Sequence, residues 1–203
     1  MLWQEFKKEK IEKILNEKEF IIDIGGGLKA WKDKGNRFHD VKYPHIEKVK
    51  VLDPVDTFNP DIVGDVQNLP LADNSVDAFI CHAVLEHVPN PLKAVEEMYR
   101  ALKPGGYCYI YVPFLYYYHA EKGYYHDYWR FTIDILEHMF KDFKSSEIQS
   151  EMAAIGTLIN LTPLPSVFPK QRNLIIKIGY FLDKLFGKLN SKQVSGYYAF
   201  LVK

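Results

Sequence analysis

The stretch Phe20-Ile21-Ile22-Asp23-Ile24-Gly25-Gly26-Gly27 decides how the rest of the chain is read. An apolar run leads into a carboxylate, and three glycines follow. Short apolar runs bounded by turn residues mark buried parallel strands. Glycines just past such a strand let the backbone turn sharply and admit a ligand close to it. An open α/β sheet binds its ligand here, outside the carboxyl end of a strand. Asp23 has two readings at this point: a turn-stabilising carboxylate, or part of a pocket for a cationic group.

Working outward, residues 3–16 read as an amphipathic helix with Trp3, Phe6, Ile11, Ile14 and Leu15 on one face, expected to cover the pocket or the sheet edge. Strands are expected at Phe20–Ile24, Val49–Leu52 (ended by Asp53-Pro54), Asp61–Asp65, Val76–His82 and Tyr107–Val112. Asn90 and Pro91 suit the N-cap and first position of a helix, and Pro104-Gly105-Gly106 is expected to end it. Thr132 can cap a helix over Ile133–Phe140. Residues 145–151 and Gly196–Val202 read as further strands, with a helix in 170–189 to connect them. Strands alternating with helices imply an α/β fold with a doubly wound, mostly parallel sheet.

The chain has 203 residues, enough for one sizeable domain, and we take 1–203 as a single unit. Within it, 1–17 form an N-terminal helix, 18–113 a ligand-binding core and 114–203 an acceptor-side part. Lys and Arg number 26, as do Asp and Glu, which leaves no electrostatic case for a nucleic-acid partner. Cys81 and Cys108 lie in apolar strands and fit reduced, buried thiols of a cytoplasmic protein. No signal-peptide layout opens the chain, and no apolar run approaches the roughly 20 residues that span a bilayer. Residues 174–189 are apolar with Lys177, Lys184 and Lys188 interleaved. The favoured reading is a helix packed on the sheet or at a dimer contact. Peripheral membrane contact is the other. The assembly is read as a monomer or homodimer.

Several spaced motifs resemble those of the class I S-adenosylmethionine-dependent methyltransferases, over roughly residues 18–143. Asp23-Ile24-Gly25-Gly26-Gly27 is similar to the family's glycine-rich first motif, and Asp53 to its ribose-binding acid. Gly64-Asp65-Val66-Gln67-Asn68-Leu69-Pro70 is similar to its adenine-side loop. Asp77 to Val88 looks like the strand 4 motif and the segment after it, and Leu102–Gly106 like the turn before strand 5. The resemblance implies a three-layer fold whose seven-stranded sheet has an antiparallel last strand. It implies S-adenosyl-L-methionine as cofactor, held by Asp23, Gly25, Gly26, Gly27, Asp53, Pro54, Asp65, Val66 and His82. The activity it implies is methyl transfer to an oxygen or nitrogen of a small-molecule or saccharide-type acceptor. Lys29 stands where the family often has a further glycine.

Two other functions are weighed against this. Gly25, Gly27 and Ala30 formally satisfy the G-x-G-x-x-G/A fingerprint of a nicotinamide dinucleotide site. However, Lys29 and Trp31 make a poor start for a pyrophosphate-binding helix, and Asp65 and residues 103–106 go unexplained. A non-catalytic cofactor-binding module of the same fold is the second alternative.

The acceptor side is expected in Phe114–Thr132, an aromatic stretch that follows strand 5 and suits a pocket for a sugar, a ring or a polyol. His119 and His126 are the candidate bases, with Asp127 as orienter. Tyr118, Tyr128 and Arg130 are the candidate acceptor contacts, against an aromatic lid with Arg130 paired to Asp127. His126-Asp127-Tyr128-Trp129-Arg130-Phe131-Thr132 is similar to a segment of methyltransferase-domain proteins that occur with surface-polysaccharide biosynthesis. Some metal-assisted methyltransferases carry Glu-x-x-Glu-His after strand 4. Here Ala83 stands at the first position, so Glu86 and His87 are read as pocket wall and local backbone partner, and no metal is expected. His39 and His45 lie in a polar loop and read as solvated.

Overall fold

A computed structural model describes residues 3–27, 46–162 and 167–203. The expectations for Lys29, His39 and His45 fall outside these residues. The sheet strands are β1 (Ile21–Ile24), β2 (Val49–Asp53), β3 (Ile62–Val63), β4 (Val76–His82), β5 (Leu102–Pro113), β6 (Ser145–Glu151) and β7 (Gly196–Val202). The helices are α1 (Trp3–Glu17), α2 (Pro91–Ala101), α3 (Ile133–Met139), α4 (Ala154–Leu161) and α5 (Arg172–Leu185). The seven strands run in the order β3-β2-β1-β4-β5-β7-β6. β1 to β5 pair in parallel, and β7 is antiparallel to both β5 and β6.

Period-two alternation divides the core between the two faces of the sheet. Ile22, Ile24, Phe79, Cys81, Cys108 and Ile110 face α2 and α3. Ile21, Val51, Ile80, Tyr109 and Phe200 face Phe6, Ile11, Ile14 and Leu15 of α1. Helix α1 therefore lies on a sheet face, not at an edge or over a pocket. β1 is buried on both sides, which is why its sequence is an apolar run and does not alternate. Cys81 and Cys108 are both buried, and neither is in a disulfide.

Helix α2 begins as the sequence suggests, with the Asn90 side chain accepting from the Lys93 amide at 3.1 Å. Its end differs: α2 stops at Ala101 and β5 starts at once, so Pro104-Gly105-Gly106 lie inside the strand. They form a bulge, and the register with β4 jumps from Val76↔Leu102 to Ala78↔Tyr107. Gly105 takes φ +74°, and a Cβ on Gly106 would stand 2.4 Å from Leu102 Cδ2, so the bulge needs both glycines.

Helix α4 was not legible in the sequence, because its cap is remote. Ala153 offers no capping side chain. The buried Asp183 of α5 accepts instead from the amides of Ile155 (2.8 Å) and Gly156 (2.9 Å). Gly179 crosses Gly156 so closely that a Cβ there would lie 2.9 Å from the Gly156 Cα. The main packing partner of α5 is thus α4 and not the sheet, the first of the two packings expected for it. Leu174, Ile178, Phe181 and Leu185 are left exposed on its outer side. Among the described residues no helix is long and apolar enough to cross a membrane.

Asp183→Ala should lower stability by about 1–2 kcal/mol through loss of the cap. Urea unfolding of the variant against the parent measures this, and an unchanged midpoint would show that α4 does not depend on the cap.

Candidate active site

The strand order reverses between β1 and β4, and ligands of open α/β sheets bind in the crevice outside the carboxyl ends of the strands at such a point. Gly25 and Gly27 turn the chain there with φ +64° and +60°. The Gly25 amide donates to the Leu52 carbonyl at 2.8 Å. A Cβ on Gly25 would come within 2.6 Å of Val84 Cγ2, so the loop after β1 and the loop after β4 touch at this glycine. Asp23 is completely buried in β1, level with Val51 and Ile80. Asp53 ends β2 with little exposure, and its Oδ1 accepts from the Val55 amide at 2.9 Å, which fixes the carboxylate next to Pro54.

On the far side of β2, Asp65 heads a tight turn and accepts from the Gln67 amide at 2.8 Å, with Val66 buried beneath it. This loop is tied to α2. Gln67 Oε1 accepts from the Asn90 amide (2.9 Å), and Glu97 Oε2 accepts from the Leu69 amide (3.0 Å). Arg100 donates to Glu97 and to the carbonyls of Leu69 and Leu71. The Arg100 guanidinium, assisted by the Leu69 amide, holds the Glu97 carboxyl below its usual range against the effect of burial. His82 ends β4, and its ring stacks on Tyr111 at 4.7 Å.

The aromatic stretch after β5 folds back over this edge. The amides of Tyr128 and Trp129 donate to the Glu86 carbonyl at 2.8 and 3.2 Å, and Trp129 Nε1 donates to the Val88 carbonyl at 2.9 Å. A turn at Glu121–Tyr125 puts the Tyr124 ring 5.2 Å from Phe58, just past β2, so the stretch spans the crevice. Of the two readings of Arg130, the structure shows the pairing with Asp127 and not an acceptor contact. Its Nη2 donates to Asp127 Oδ2 (2.7 Å) and the Tyr117 carbonyl (2.7 Å). Its Nη1 donates to Asp127 Oδ1 and the Trp129 carbonyl, and its Nε to the Tyr116 carbonyl. All five guanidinium donors are used within the stretch, so Arg130 clamps it and has none left for an acceptor. Tyr118 and Tyr128 are exposed.

Asp127, its carboxylate fully enclosed, is held at a pKa of about 2 by the Arg130 guanidinium and the His119 amide, against the effect of burial. Its Oδ2 lies 3.2 Å from His119 Nδ1, so Asp127 orients this histidine. His126 is different: its ring is exposed beside Tyr128 and only its carbonyl takes part, receiving His87 Nδ1 at 2.6 Å. Glu86 and His87, set aside in the sequence, sit in the middle of the site. Glu86 is 1% exposed, with Oε1 3.8 Å from His87 Nε2 and 3.7 Å from His119 Nε2. The signal that joins them is the third group, His119, which lies 32 positions along the chain from His87. Glu86, then the Tyr117 carbonyl and Asp127, raise the proton affinity of His119 against the opposing effect of burial.

Residues 29–110 match the methyltransferase domain family. That match takes in β2 to β4 and most of β5, with the segments between them. An uncharacterized methyltransferase of Mycobacteroides abscessus is 36% identical over 97 residues, covering 42% of this chain and 36% of that protein. A demethylmenaquinone methyltransferase of Paenarthrobacter aurescens is 56% identical over 45 residues, 22% of this chain and 18% of its own length. The chain therefore spans about a third or less of these curated relatives. Among solved structures, the fold is similar to a SAM-dependent methyltransferase from Archaeoglobus fulgidus (TM-score 0.59, 13% identity, 98% of this chain and 94% of that one). It is also similar to phosphoethanolamine N-methyltransferase 2 of Haemonchus contortus, crystallised with phosphomonomethylethanolamine and S-adenosylhomocysteine (TM-score 0.53, 13% identity, 97% and 52%). The family match begins after Gly27, so the glycine turn lies outside it and is described by its geometry and place in the sheet.

Glu97→Gln should destabilise the domain by roughly 1.5–3 kcal/mol at neutral pH, the worth of hydrogen bonds to a charged group. The folded carboxyl titrates below 4.5, so its contribution is complete above that pH and fades as pH falls through the lower folded value. Thermal melts of both proteins should converge in acid, and a pH-independent gap would contradict the linkage. Arg130→Leu leaves Asp127 enclosed without its partner, at a cost of about 3 kcal/mol, and should make residues 114–132 the first site of limited proteolysis.

Proposed function

We propose that this chain is an S-adenosylmethionine-dependent methyltransferase acting on an oxygen or nitrogen of a small-molecule or saccharide-type acceptor. The observation that carries the reading is the crevice at the β1/β4 reversal, with the glycine turn on one wall and Asp53 at the end of β2 on the other. A cofactor with a sulfonium, a ribose diol and an adenine fits this layout. Bare backbone at Gly25–Gly27 admits the methionine and ribose parts, and Asp53 accepts from the ribose hydroxyls. Asp65 and Val66 lie where the adenine edge would fall. Pro54 shapes the ribose side, while Asp23 and His82 stand behind the crevice in β1 and at the end of β4.

Methyl transfer is an in-line displacement. The acceptor atom bonds the methyl carbon, the carbon–sulfur bond breaks, and its electron pair stays on sulfur as S-adenosylhomocysteine leaves. The sulfonium is already electrophilic, so alignment and exclusion of water supply much of the rate. The aromatic stretch that spans the crevice would provide both, with Tyr118 and Tyr128 within reach of an acceptor. An acceptor hydroxyl must also lose its proton, and His119, held by Asp127 beside Glu86, is where this reading places that event. His126, whose ring is exposed beside Tyr128 and which offers its carbonyl to His87, is not assigned this role.

A module that keeps the fold without chemistry is the competing reading, and two measurements separate them. Calorimetry should show 1:1 binding of S-adenosylhomocysteine, with Asp53→Ala weakening it at least tenfold. A labelled-methyl screen over hydroxylated and amine acceptors should then give transfer. Binding without transfer to any acceptor would favour the module, and no binding at all would remove both readings.

A further inference from the structure

We infer that Glu86, His87 and His119 form a site for one divalent first-row transition-metal ion. The inference starts from Glu86. Its carboxylate is 1% exposed, and neither oxygen has a hydrogen-bond partner among the described residues. Burying a polar group without a hydrogen bond is costly, so the carboxylate calls for a partner. Arg130 feels its charge but spends its donors on Asp127 and three carbonyls. The groups that face Glu86 are two imidazole nitrogens, each at a distance too long for a hydrogen bond.

The other ring nitrogens fix what those two present. His87 Nδ1 lies 2.6 Å from the His126 carbonyl, which can only accept, so Nδ1 carries the proton. His119 Nδ1 lies 3.2 Å from both the Tyr117 carbonyl and Asp127 Oδ2, again acceptors only. In the neutral rings both Nε2 atoms therefore carry lone pairs, and both face the Glu86 carboxylate. Three electron-pair donors lie within 4.8 Å of one another, an arrangement that repels itself unless a proton or a metal cation stands among them. Around an ion with bonds of about 2.0–2.2 Å, tetrahedral donors sit about 3.4 Å apart. The separations of 3.7 and 3.8 Å to Glu86 need to close by a few tenths of an ångström, and the two imidazole nitrogens, within 4.8 Å of each other, draw together around the ion.

The supporting contacts are those of a metal site. Ligating histidines hand their second N–H to a backbone carbonyl or a carboxylate, as His87 does to the His126 carbonyl and His119 to the Tyr117 carbonyl, with Asp127 alongside. Two imidazoles and one carboxylate favour zinc, iron, cobalt or nickel over magnesium or calcium, which take oxygen sets. Three protein ligands leave a position for a further oxygen donor. Glu86 stands two residues past Val84, which touches Gly25, so the site borders the crevice. Where the methyl-transfer reading holds, an acceptor hydroxyl bound there would lose its proton to water under the pull of the ion, and His119 would act as ligand instead of base. The metal site itself rests on geometry alone.

The test is titration of the EDTA-treated protein with cobalt(II), followed by absorption in the visible, and with zinc by calorimetry, without cofactor or acceptor. The expected result is one equivalent bound with imidazole-type cobalt bands. Glu86→Gln and His119→Gln should each weaken it at least tenfold, Asp127→Asn should weaken it less, and His138→Ala, on the outside of α3, should leave it unchanged. Thermal melts report whether each variant is folded, and the wild-type stoichiometry stands whatever the variants do. Less than one equivalent bound by wild type, or binding kept in both folded ligand variants, would overturn the site. So would NMR showing His87 and His119 as a pair of imidazoliums on Glu86 in the presence of excess zinc. Cofactor binding is read separately with S-adenosylhomocysteine, so failure of the methyl-transfer reading and failure of the metal site are told apart.

Discussion

The pairing of Asp127 with Arg130 is the contact on which the acceptor side depends. The carboxylate is enclosed, and the guanidinium meets both of its oxygens while gathering the carbonyls of Tyr116, Tyr117 and Trp129. A loop with this many exposed aromatics has little apolar burial to hold it. Charge-assisted, bidentate hydrogen bonds supply a fixed shape instead. The same carboxylate then receives the His119 amide and faces its ring, so the clamp that folds the stretch also aims the histidine. Tyr128 and Trp129 dock on the Glu86 carbonyl, and the stretch and the turn after β4 become one unit.

That unit stands on a sheet whose geometry is set by a few close approaches. Gly25 lets the β1 and β4 loops touch, and the bulge at Lys103–Gly106 re-registers β5 against β4. The glycine wall of the crevice is thus fixed by the close approach of backbone to the Val84 side chain at Gly25. Its other walls come from segments tied down by side chains, Asp65 and Gln67 through Asn90 and Glu97, and Tyr124 through Phe58. The division suits a site in which one wall recognises a constant cofactor and another a variable acceptor.

Most of the sheet was legible in the sequence because its signals are local. Apolar runs, the Asn90-Pro91 start and the Thr132 cap each act within four residues. What escaped was set by distant partners. Helix α4 is capped by Asp183 of α5, which no window around Ala153 contains. The placement of α5 follows from the Gly156–Gly179 crossing. Arg130 and Asp127 were weighed as a pair, but only the structure shows every guanidinium donor in use. Glu86 and His87 were discounted because Ala83 lacks a ligand atom. The group that completes their cluster, His119, comes from beyond the next helix and strand.

The central claim is that the crevice between β1 and β4 holds the cofactor with its reactive end toward the Glu86–His119 group. A crystal structure grown with S-adenosylhomocysteine tests it most directly. The account predicts the ribose on Asp53, the adenine along Asp65 and Val66, and the sulfur facing Glu86 and His119 beneath the aromatic stretch. Density for the nucleoside elsewhere on the protein, or a sulfur turned away from that group, would contradict it.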